Sequence, residues 1–196
     1  MAAFEARELV ARHVGPIDFC LAEGACLGLT GPSGSGKSLL LRAMADLDPH
    51  EGEVFLQGTA QAQIEGPVWR SRVGYLPAES HWWAARIGDH FQGGELLDEA
   101  EQLGLPGDVF DWTPERMSSG EKQRMAFLRL LSVRPEVLLL DEPTANLDSA
   151  VGLALETIVR RWREERGVSV VWVSHDLGQL ERVAGEVRML DGGGVA

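Results

Sequence analysis

A loop rich in glycine and serine, GPSGSGKS, occupies Gly31 to Ser38 and ends in a lysine followed by a hydroxyl. It follows the apolar run CLGLT and precedes the helical pattern LLLRAMA, so the loop is predicted to join a strand to the start of a helix. The backbone N–H groups of such a loop and the partial positive charge of the helix start bind phosphate oxygens. Lys37 would neutralise the β- and γ-phosphates of a nucleotide, and the hydroxyl of Ser38 would bind Mg²⁺. The predicted phosphate-binding residues are Gly31, Pro32, Ser33, Gly34, Ser35, Gly36, Lys37 and Ser38.

Two adjacent carboxylates end a second apolar run further along the chain, in VLLLDEPTANLD from Val137 to Asp148. A strand that delivers Asp141 beside the phosphate loop can hold the water shell of Mg²⁺. The next residue, Glu142, projects far enough to polarise a water in line with the γ-phosphate. Acidic pairs at strand ends are also common as solvated turns, so this assignment depends on the phosphate loop.

Two further segments carry groups that could contact an anion. In MSSGEKQR, Ser118 and Glu121 have the spacing of a capping box, which predicts a helix start with exposed backbone N–H groups. In VSHD, His175 directly follows a predicted strand, where a neutral imidazole could bond to phosphate or water. A well-capped helix without a ligand and a structural histidine are the alternatives.

The composition describes an acidic globular chain, because 30 acidic against 18 basic residues among 196 give a formal charge of −12. This charge argues against a nucleic-acid partner held by phosphate contacts, but it does not disfavour local nucleotide binding. Neither a signal peptide nor an apolar run of about 18 residues is visible, so we expect a cytoplasmic chain whose membrane contact comes only through a partner. We expect no added regulatory domain after the C-terminal GGGVA. Cys20 and Cys26 lie in apolar runs and are expected to be buried, reduced thiols.

Short strand-like runs alternate with helical patterns, which predicts an α/β fold with a largely parallel sheet. From Arg86 to Gly107 the pattern is helical and acidic, interrupted by breakers that include Gly93 and Gly94, and this stretch is the candidate helical insert. A long amphipathic helix places Trp162 on its apolar face, which predicts a core position. The predicted strands are 4–10, 17–22, 26–30, 52–58, 73–76, 137–140, 168–173 and 186–190. The predicted helices are 37–45, 120–133, 149–166 and one after His175.

Taken together and in this order, GPSGSGKS, MSSGEKQR, VLLLDEPTANLD and VSHD resemble the motifs of the nucleotide-binding subunits of the ATP-binding-cassette (ABC) family. The resemblance covers nearly the whole chain. It implies a P-loop NTPase core with a mostly parallel sheet, an N-terminal antiparallel β part and a short helical subdomain at about 86–118, within a single domain over 1–196. It also implies that ATP and Mg²⁺ bind, with Lys37 on phosphate, and Ser38 and Asp141 on the metal. Glu142 would be the catalytic base, and His175 would contact the γ-phosphate.

By the same resemblance, a head-to-tail homodimer would form on ATP binding. Ser118, Ser119, Gly120 and Glu121 would be the family signature, which closes on the ATP held by a second subunit. Asp148 would lie in the loop that communicates across this interface. A helix start aimed at a γ-phosphate contributes binding only while ATP is present, so ATP would favour closure and hydrolysis would release it.

The chain departs from the family pattern at three places. Ser119 stands where the signature usually has a glycine, and the aromatic residue that stacks on adenine has no counterpart in LVARHVG, which offers only Arg12 or His13. Ala78 stands where the family has a glutamine that reaches Mg²⁺ and the attacking water. A methyl group cannot bind a metal, so either Glu79 or water would take that place.

The leading functional hypothesis is the ATPase subunit of a membrane transporter that works with a separate transmembrane permease on the cytoplasmic face of the membrane. The resemblance implies that the region of Trp82 and Trp83 forms the groove that receives the permease, and exposed aromatics are favoured as interface anchors. The alternative is that both pack under the helical insert. A soluble ABC ATPase in DNA repair or translation, and a P-loop kinase for a small molecule, are the competing functions. The compact chain resembles those of export systems, although import is compatible with the same residues.

Overall fold

The computed structural model describes residues 3–92 and 96–191, so Gly93, Gly94 and the C-terminal GGGVA lie outside the described residues. The strands in the described ranges are β1 Phe4–Ala11, β2 Val14–Leu21, β3 Cys26–Thr30, β4 Glu51–Leu56, β5 Thr59–Ala60, β6 Val73–Leu76, β7 Val137–Asp141, β8 Ser169–Val173 and β9 Glu186–Met189. The α-helices there are α1 Lys37–Met44, α2 Gly66–Arg72, α3 Leu97–Gln102, α4 Ser119–Ser132, α5 Ser149–Arg166 and α6 Leu177–Val183.

The strands form two sheets, as the sequence predicts. The first sheet has the order β2-β1-β4-β5 and is antiparallel throughout. The second has the order β6-β7-β8-β3-β9 and is parallel throughout. Every residue of β3, β7 and β8 is buried, because a parallel sheet is covered on both faces, whereas β2 alternates between buried and exposed positions.

Two hydrophobic cores lie on the two faces of the parallel sheet. One contains residues of the antiparallel sheet and α1, and it receives Leu139 from β7. The other contains residues of α4 and α5, and it receives Leu138 from the same strand. Trp162 is buried in this second core, which confirms its predicted position. The carboxyl ends of β3, β7 and β8 are thereby fixed at one edge of the sheet.

The segment predicted to form a helical subdomain, about 86–118, contains α3 and short 3₁₀ turns at Gly88–His90, Val109–Asp111 and Pro114–Arg116. Its apolar side chains, among them Ile87 and Phe110, pack in the same core as α4 and α5. The segment therefore shares its core with the rest of the chain in the described ranges. Its definition as a separate subdomain stays a prediction.

Both cysteines are free, and their environments differ. Cys26 is buried, and burial raises the pKa of its thiol to about 12. Cys20 is exposed, so the prediction that both thiols are buried is wrong for this residue. It occupies an outward position of the alternating strand β2, between the buried residues Phe19 and Leu21. Across the described ranges, no helix combines the length and apolarity needed to cross a bilayer.

Candidate functional site

The phosphate loop joins β3 to α1 through a backbone that requires glycine. Gly31, Gly34 and Gly36 have φ values of 141°, 81° and 93°, a region that side chains disfavour. A Cβ atom on Gly31 would clash with the carbonyl of Leu190, and one on Gly36 would clash with Val14. Around Gly34, by contrast, no atom lies within 4 Å of an added Cβ. The loop is therefore a packed turn that leaves its middle open to a ligand.

Lys37 points into this loop although its side chain could extend outward. The residue is only 6% exposed, and its Nζ donates hydrogen bonds to the carbonyls of Gly31 (2.8 Å) and Pro32 (2.9 Å). Burial lowers the pKa of the Lys37 ammonium, while the charges of Glu142 and Asp141 oppose that shift. The carbonyls of the phosphate loop thus hold the Lys37 ammonium, a cation, inside the loop.

Asp141 ends β7 and is buried. The hydroxyl of Tyr75 on β6 donates a hydrogen bond of 3.1 Å to its Oδ2 atom. Burial, followed by the charge of Asp141, raises the pKa of the Tyr75 phenol, so the hydroxyl stays a neutral donor. The sequence motifs do not identify Tyr75 as a site residue. The parallel register of β6 and β7, which pairs Tyr75 with Leu139, brings it there.

Glu142 takes an unusual backbone conformation directly after β7. Its φ of 48° lies in the left-handed region, and its N–H donates to the carbonyl of Val173 at 3.1 Å. Its Oε1 atom is buried, lies 3.4 Å from Nε2 of His175 and has no hydrogen-bond partner among the described residues. Burial is the main cause that raises the pKa of the Glu142 carboxyl, and His175 opposes it. A buried carboxylate with unused acceptor capacity can take a proton from water.

One cavity of about 350 Å³ brings these groups together. The residues that line it are Ser33, Gly34, Gly36, Lys37, Ser38, Leu39, Ala78, Asp141, Glu142 and His175. They come from the phosphate loop, the start of α1, the segment after β6, the end of β7 and the segment after β8, which are far apart in the sequence. Ala78, the place of the missing glutamine, lines the cavity, while the exposed Glu79 is not part of the lining.

The start of α4 does not line this cavity within one chain. Ser118 and Glu121 form the predicted capping box: Ser118 Oγ accepts from the Glu121 N–H at 3.3 Å, and Glu121 Oε2 accepts from the Ser118 N–H at 2.8 Å. Ser119 is exposed, and a Cβ on Gly120 would lie 3.0 Å from the carbonyl of Asn146. The start of α4 therefore packs against the segment that leads to α5. Asp148 caps α5 by accepting the Val151 N–H at 3.0 Å.

The two tryptophans after β6 have different environments. Trp82 is half-buried and packs against the second core, whereas Trp83 is 76% exposed. The Arg129 guanidinium lies over both rings, at 4.4 and 5.1 Å, and its Nη1 donates to the carbonyl of His81. Nε2 of the buried His90 accepts the N–H groups of Trp83 and Ala84, both at 2.9 Å. The core position predicted as the alternative is thus confirmed for Trp82 alone, and the permease contact of Trp83 stays a prediction. Sequence motifs do not identify Arg129 or His90 as part of this turn.

The two residues considered for adenine contact, Arg12 and His13, form the exposed turn between β1 and β2 and do not line the cavity.

The described residues do not support a metal ion that is bound by protein side chains alone. Within residues 3–92 and 96–191, no group of three or more His, Cys, Asp or Glu side chains could hold one. Ser38 and Asp141, a hydroxyl and a carboxylate, instead both line the cavity, which suits a hard cation that keeps phosphate and water among its ligands.

Comparison with known proteins gives one consistent result. The pattern that describes the ABC transporter family matches residues 14–145. Protein STAR1 of Oryza sativa subsp. japonica is 38% identical over 193 aligned residues, covering 91% of this chain and 55% of that protein. ABC transporter I family member 17 of Arabidopsis thaliana is 36% identical over 176 residues, covering 84% of this chain and 67% of that protein. The chain therefore spans little more than half the length of STAR1.

The fold is also that of a solved ATP-binding cassette, a dimer in a post-hydrolysis state bound to ADP and Pi. The two chains superpose with a TM-score of 0.84 at 22% sequence identity, over 98% of this chain and 96% of the other. At this identity the likeness concerns the fold alone.

Proposed function

The chain belongs to the ABC transporter family, and we propose that it is the ATP-binding and ATP-hydrolysing subunit of a transporter. The observation that carries the proposal is the single cavity shared by the phosphate loop, Asp141, Glu142 and His175. Phosphate-binding, metal-binding and proton-accepting groups are the three parts that phosphoryl transfer to water requires. Here β3, β7 and β8 bring them to one edge of the sheet.

Binding of the triphosphate would use the open middle of the loop at Gly31–Ser38. Its N–H groups and the start of α1 would hold phosphate oxygens, and the Lys37 ammonium would move from the loop carbonyls to the phosphates. Ser38 and, through water, Asp141 would hold Mg²⁺, which would neutralise charge on the phosphates when bound. The Tyr75 hydroxyl, by occupying one oxygen of Asp141, would leave the other oxygen free for that water shell.

Hydrolysis would depend on Glu142 and His175. The Oε1 atom of Glu142 has no hydrogen-bond partner in the described part of the chain, and burial makes this carboxyl a stronger base than an ordinary glutamate. We assign it the proton of the attacking water. His175 lies 3.4 Å from that oxygen and would contact the γ-phosphate beside Glu142.

A head-to-tail homodimer would complete the site. Ser118, Ser119, Gly120 and Glu121 lie outside the cavity of their own chain, yet the α4 N-terminus is exposed and rigidly capped. A second copy that presents this terminus to the γ-phosphate would use these N–H groups. Closure would then depend on ATP, as an energy-converting subunit requires.

The remaining partner would be a transmembrane permease that holds this subunit on the cytoplasmic face of the membrane. Support comes from Trp83, a large exposed aromatic held in place by Arg129 and His90. A compact export-type system is the direction we favour from the family resemblance.

The test is ATP hydrolysis by the purified chain, alone and with its permease, comparing the wild type with Glu142→Gln. We expect the variant to bind ATP with unchanged affinity and to lose turnover by at least about a hundredfold. Glu164→Gln, which changes an exposed glutamate on α5, is the matched control and should hydrolyse ATP normally. Turnover of Glu142→Gln at the wild-type rate would exclude Glu142 as the base. Release of inorganic phosphate without an added acceptor separates this function from that of a small-molecule kinase.

A further inference from the structure

Gln179 is a buried polar residue that neither the motifs nor the cavity explain. It lies in α6, four residues after His175, and is only 4% exposed. Its Nε2 donates to Thr144 Oγ1 and to Glu156 Oε1, both at 2.9 Å. Its Oε1 lies 3.3 Å from the indole nitrogen of Trp172 and 3.2 Å from Thr144 Oγ1. Because an indole N–H can only donate and a carboxylate can only accept, these neighbours fix which way the amide faces.

This amide connects the two parts of the chain that carry the proposed base and the proposed phosphate sensor. Thr144 belongs to the segment 142–148, which begins at Glu142 and ends at the α5 cap Asp148. Trp172 and Gln179 lie on either side of His175, in β8 and α6. The backbone N–H groups of Ala145 and Leu147 bond to carbonyls within that same segment. The Gln179–Thr144 contact therefore connects the segment 142–148, whose backbone is hydrogen-bonded within itself, to α6, the helix that follows His175.

We propose that Gln179 is a positioning residue for hydrolysis, whose amide holds the segment 142–148 against α6 so that Glu142 and His175 keep one mutual arrangement. The inference rests on the proposed function, because it takes Glu142 as the base and His175 as the phosphate contact. Glu142 needs such support, since its left-handed φ of 48° is a conformation that the surrounding structure must hold. The same tie makes Asp148, at the other end of the segment, move together with both groups.

The local charges explain why an amide suits this position. Glu156 is nearly buried and is held by Arg182 through two contacts, at 2.9 and 3.1 Å. A carboxylate at position 179 would face the Glu156 carboxylate with one guanidinium for two charges, and it could not donate to Thr144. A protonated carboxylic acid, by contrast, would still donate one hydrogen bond. Gln179→Glu therefore changes charge and donor capacity while keeping the size of the side chain.

The experiment compares Gln179→Ala and Gln179→Glu with the wild type by kcat, KM, the affinity for a fluorescent ATP analogue, and Tm. At a temperature where each variant is folded, we expect kcat to fall roughly ten- to a hundredfold, the cost of a misplaced catalytic group. KM and nucleotide affinity should change less than about twofold, because the phosphate loop is untouched. The kcat of Gln179→Glu relative to the wild type should recover as the pH is lowered from about 8.5 to about 6, as its carboxyl becomes protonated.

Thr157→Val is the matched control, since it removes a hydroxyl that bonds to the Leu153 carbonyl on the exposed face of α5. It should behave as the wild type, whereas Thr144→Val should lower kcat and add little to Gln179→Ala in the double variant. A folded Gln179→Glu with normal kcat, or a defect that is independent of pH or shared equally by nucleotide affinity, would overturn the proposal. This isosteric variant decides the matter if Gln179→Ala does not fold. A wild-type chain without ATP hydrolysis would contradict the proposed function itself, and this inference with it.

Discussion

Glu142 combines three features that cost stability and serve the same reaction. Its backbone is left-handed, its carboxyl is buried enough to raise the pKa, and its Oε1 atom has no hydrogen-bond partner among the described residues. Isolated buried acceptors are unfavourable because their hydration is lost without compensation. A site that must take a proton from water benefits from just such an acceptor. The residue therefore trades stability for reactivity.

The first prediction is that Glu142→Gln raises the stability of the nucleotide-free protein at neutral pH. A carboxyl whose pKa is raised by folding favours the folded state most below its ordinary pKa, and this stabilisation is lost as the pH rises through the folded pKa. Glutamine carries no charge at any of these pH values, so the variant does not lose stability through the ionisation of residue 142. We expect the Tm at pH 7.5 to rise; in a chain of this size about 1 kcal/mol of added stability corresponds to a rise of roughly 2–4 °C. In differential scanning fluorimetry, the Tm difference between Glu142→Gln and the wild type should shrink towards pH 4. The control Glu164→Gln should have the Tm of the wild type throughout.

The second prediction concerns Ala78, which lines the same cavity as Ser38 and Asp141. Ala78→Gln would extend an amide oxygen, a good ligand for a hard cation, into that space. We expect a lower Mg²⁺ concentration for half-maximal nucleotide binding, by about threefold or more, and faster basal hydrolysis. Glu79→Gln tests the alternative that the exposed Glu79 carboxylate reaches the metal. In that case Glu79→Gln should raise the Mg²⁺ concentration needed for half-maximal nucleotide binding. Identical Mg²⁺ titrations of Ala78→Gln and wild type would show that the position has no part in metal binding.

At the scale of elements, the turn after β6 is held by residues from elsewhere. Arg129 of α4 covers both tryptophan rings and binds the carbonyl of His81, and burial lowers the pKa of its guanidinium. His90 accepts two backbone N–H groups through Nε2, and its Nδ1 lies 3.0 Å from the Arg86 carbonyl, so the proton belongs on Nδ1. The ring is thus a neutral spacer between the tryptophans. A rigid support of this kind lowers the entropic cost of binding a partner.

The third prediction separates the two rings of that turn. Trp82→Ala removes a side chain that packs on the second core and should lower the free energy of unfolding by about 2 kcal/mol, below the 3–5 kcal/mol of a fully buried tryptophan. Trp83→Ala should change it by less than about 0.5 kcal/mol, because the ring is 76% exposed. Urea unfolding measures both. Trp83→Ala should weaken co-purification with the proposed permease and leave ATPase activity in solution normal. Co-purification at the wild-type level would show that Trp83 is not an anchor.

Some features of the fold and the site could be predicted from the sequence, and others could not, for physical reasons. Continuous apolar runs give β3, β7 and β8, and local spacing gives the phosphate loop and the α4 capping box, because these depend on neighbours in the chain. The contact of Tyr75 with Asp141 depends on the register of two parallel strands, 66 positions apart. The Gln179 network joins Thr144 across 35 positions and needs the α5–α6 packing. Trp82 and Trp83 are adjacent in the sequence, and which of them packs on the second core depends on tertiary contacts that local spacing does not reveal.

At the scale of the whole molecule, the cavity does not include the start of α4, and the chain is strongly acidic. The cavity contains the phosphate loop, Asp141, Glu142 and His175, and the capped start of α4 lies elsewhere on the same chain. Two copies arranged head-to-tail would place each α4 start over the other's cavity. Each copy, however, carries a formal charge of −12, so association brings together two anionic bodies. Nucleotide would add further negative charge at that interface, which Mg²⁺, the helix starts and Lys37 would offset.

The last prediction follows from that charge: Glu142→Gln with ATP and Mg²⁺ should form a stable dimer, and moderate salt should strengthen it. Screening shortens the range of repulsion to about 8 Å near 0.15 M salt, while the buried contacts of helix N–H groups with phosphate are screened far less. Light scattering after gel filtration should therefore show more dimer at about 0.15 M than at about 0.02 M NaCl. Lys37→Ala in the same background, which loses the cation of the phosphate loop, should stay monomeric at either concentration. A dimer that forms without nucleotide, or that dissociates as salt is added, would point to an interface other than the one through Ser118–Glu121.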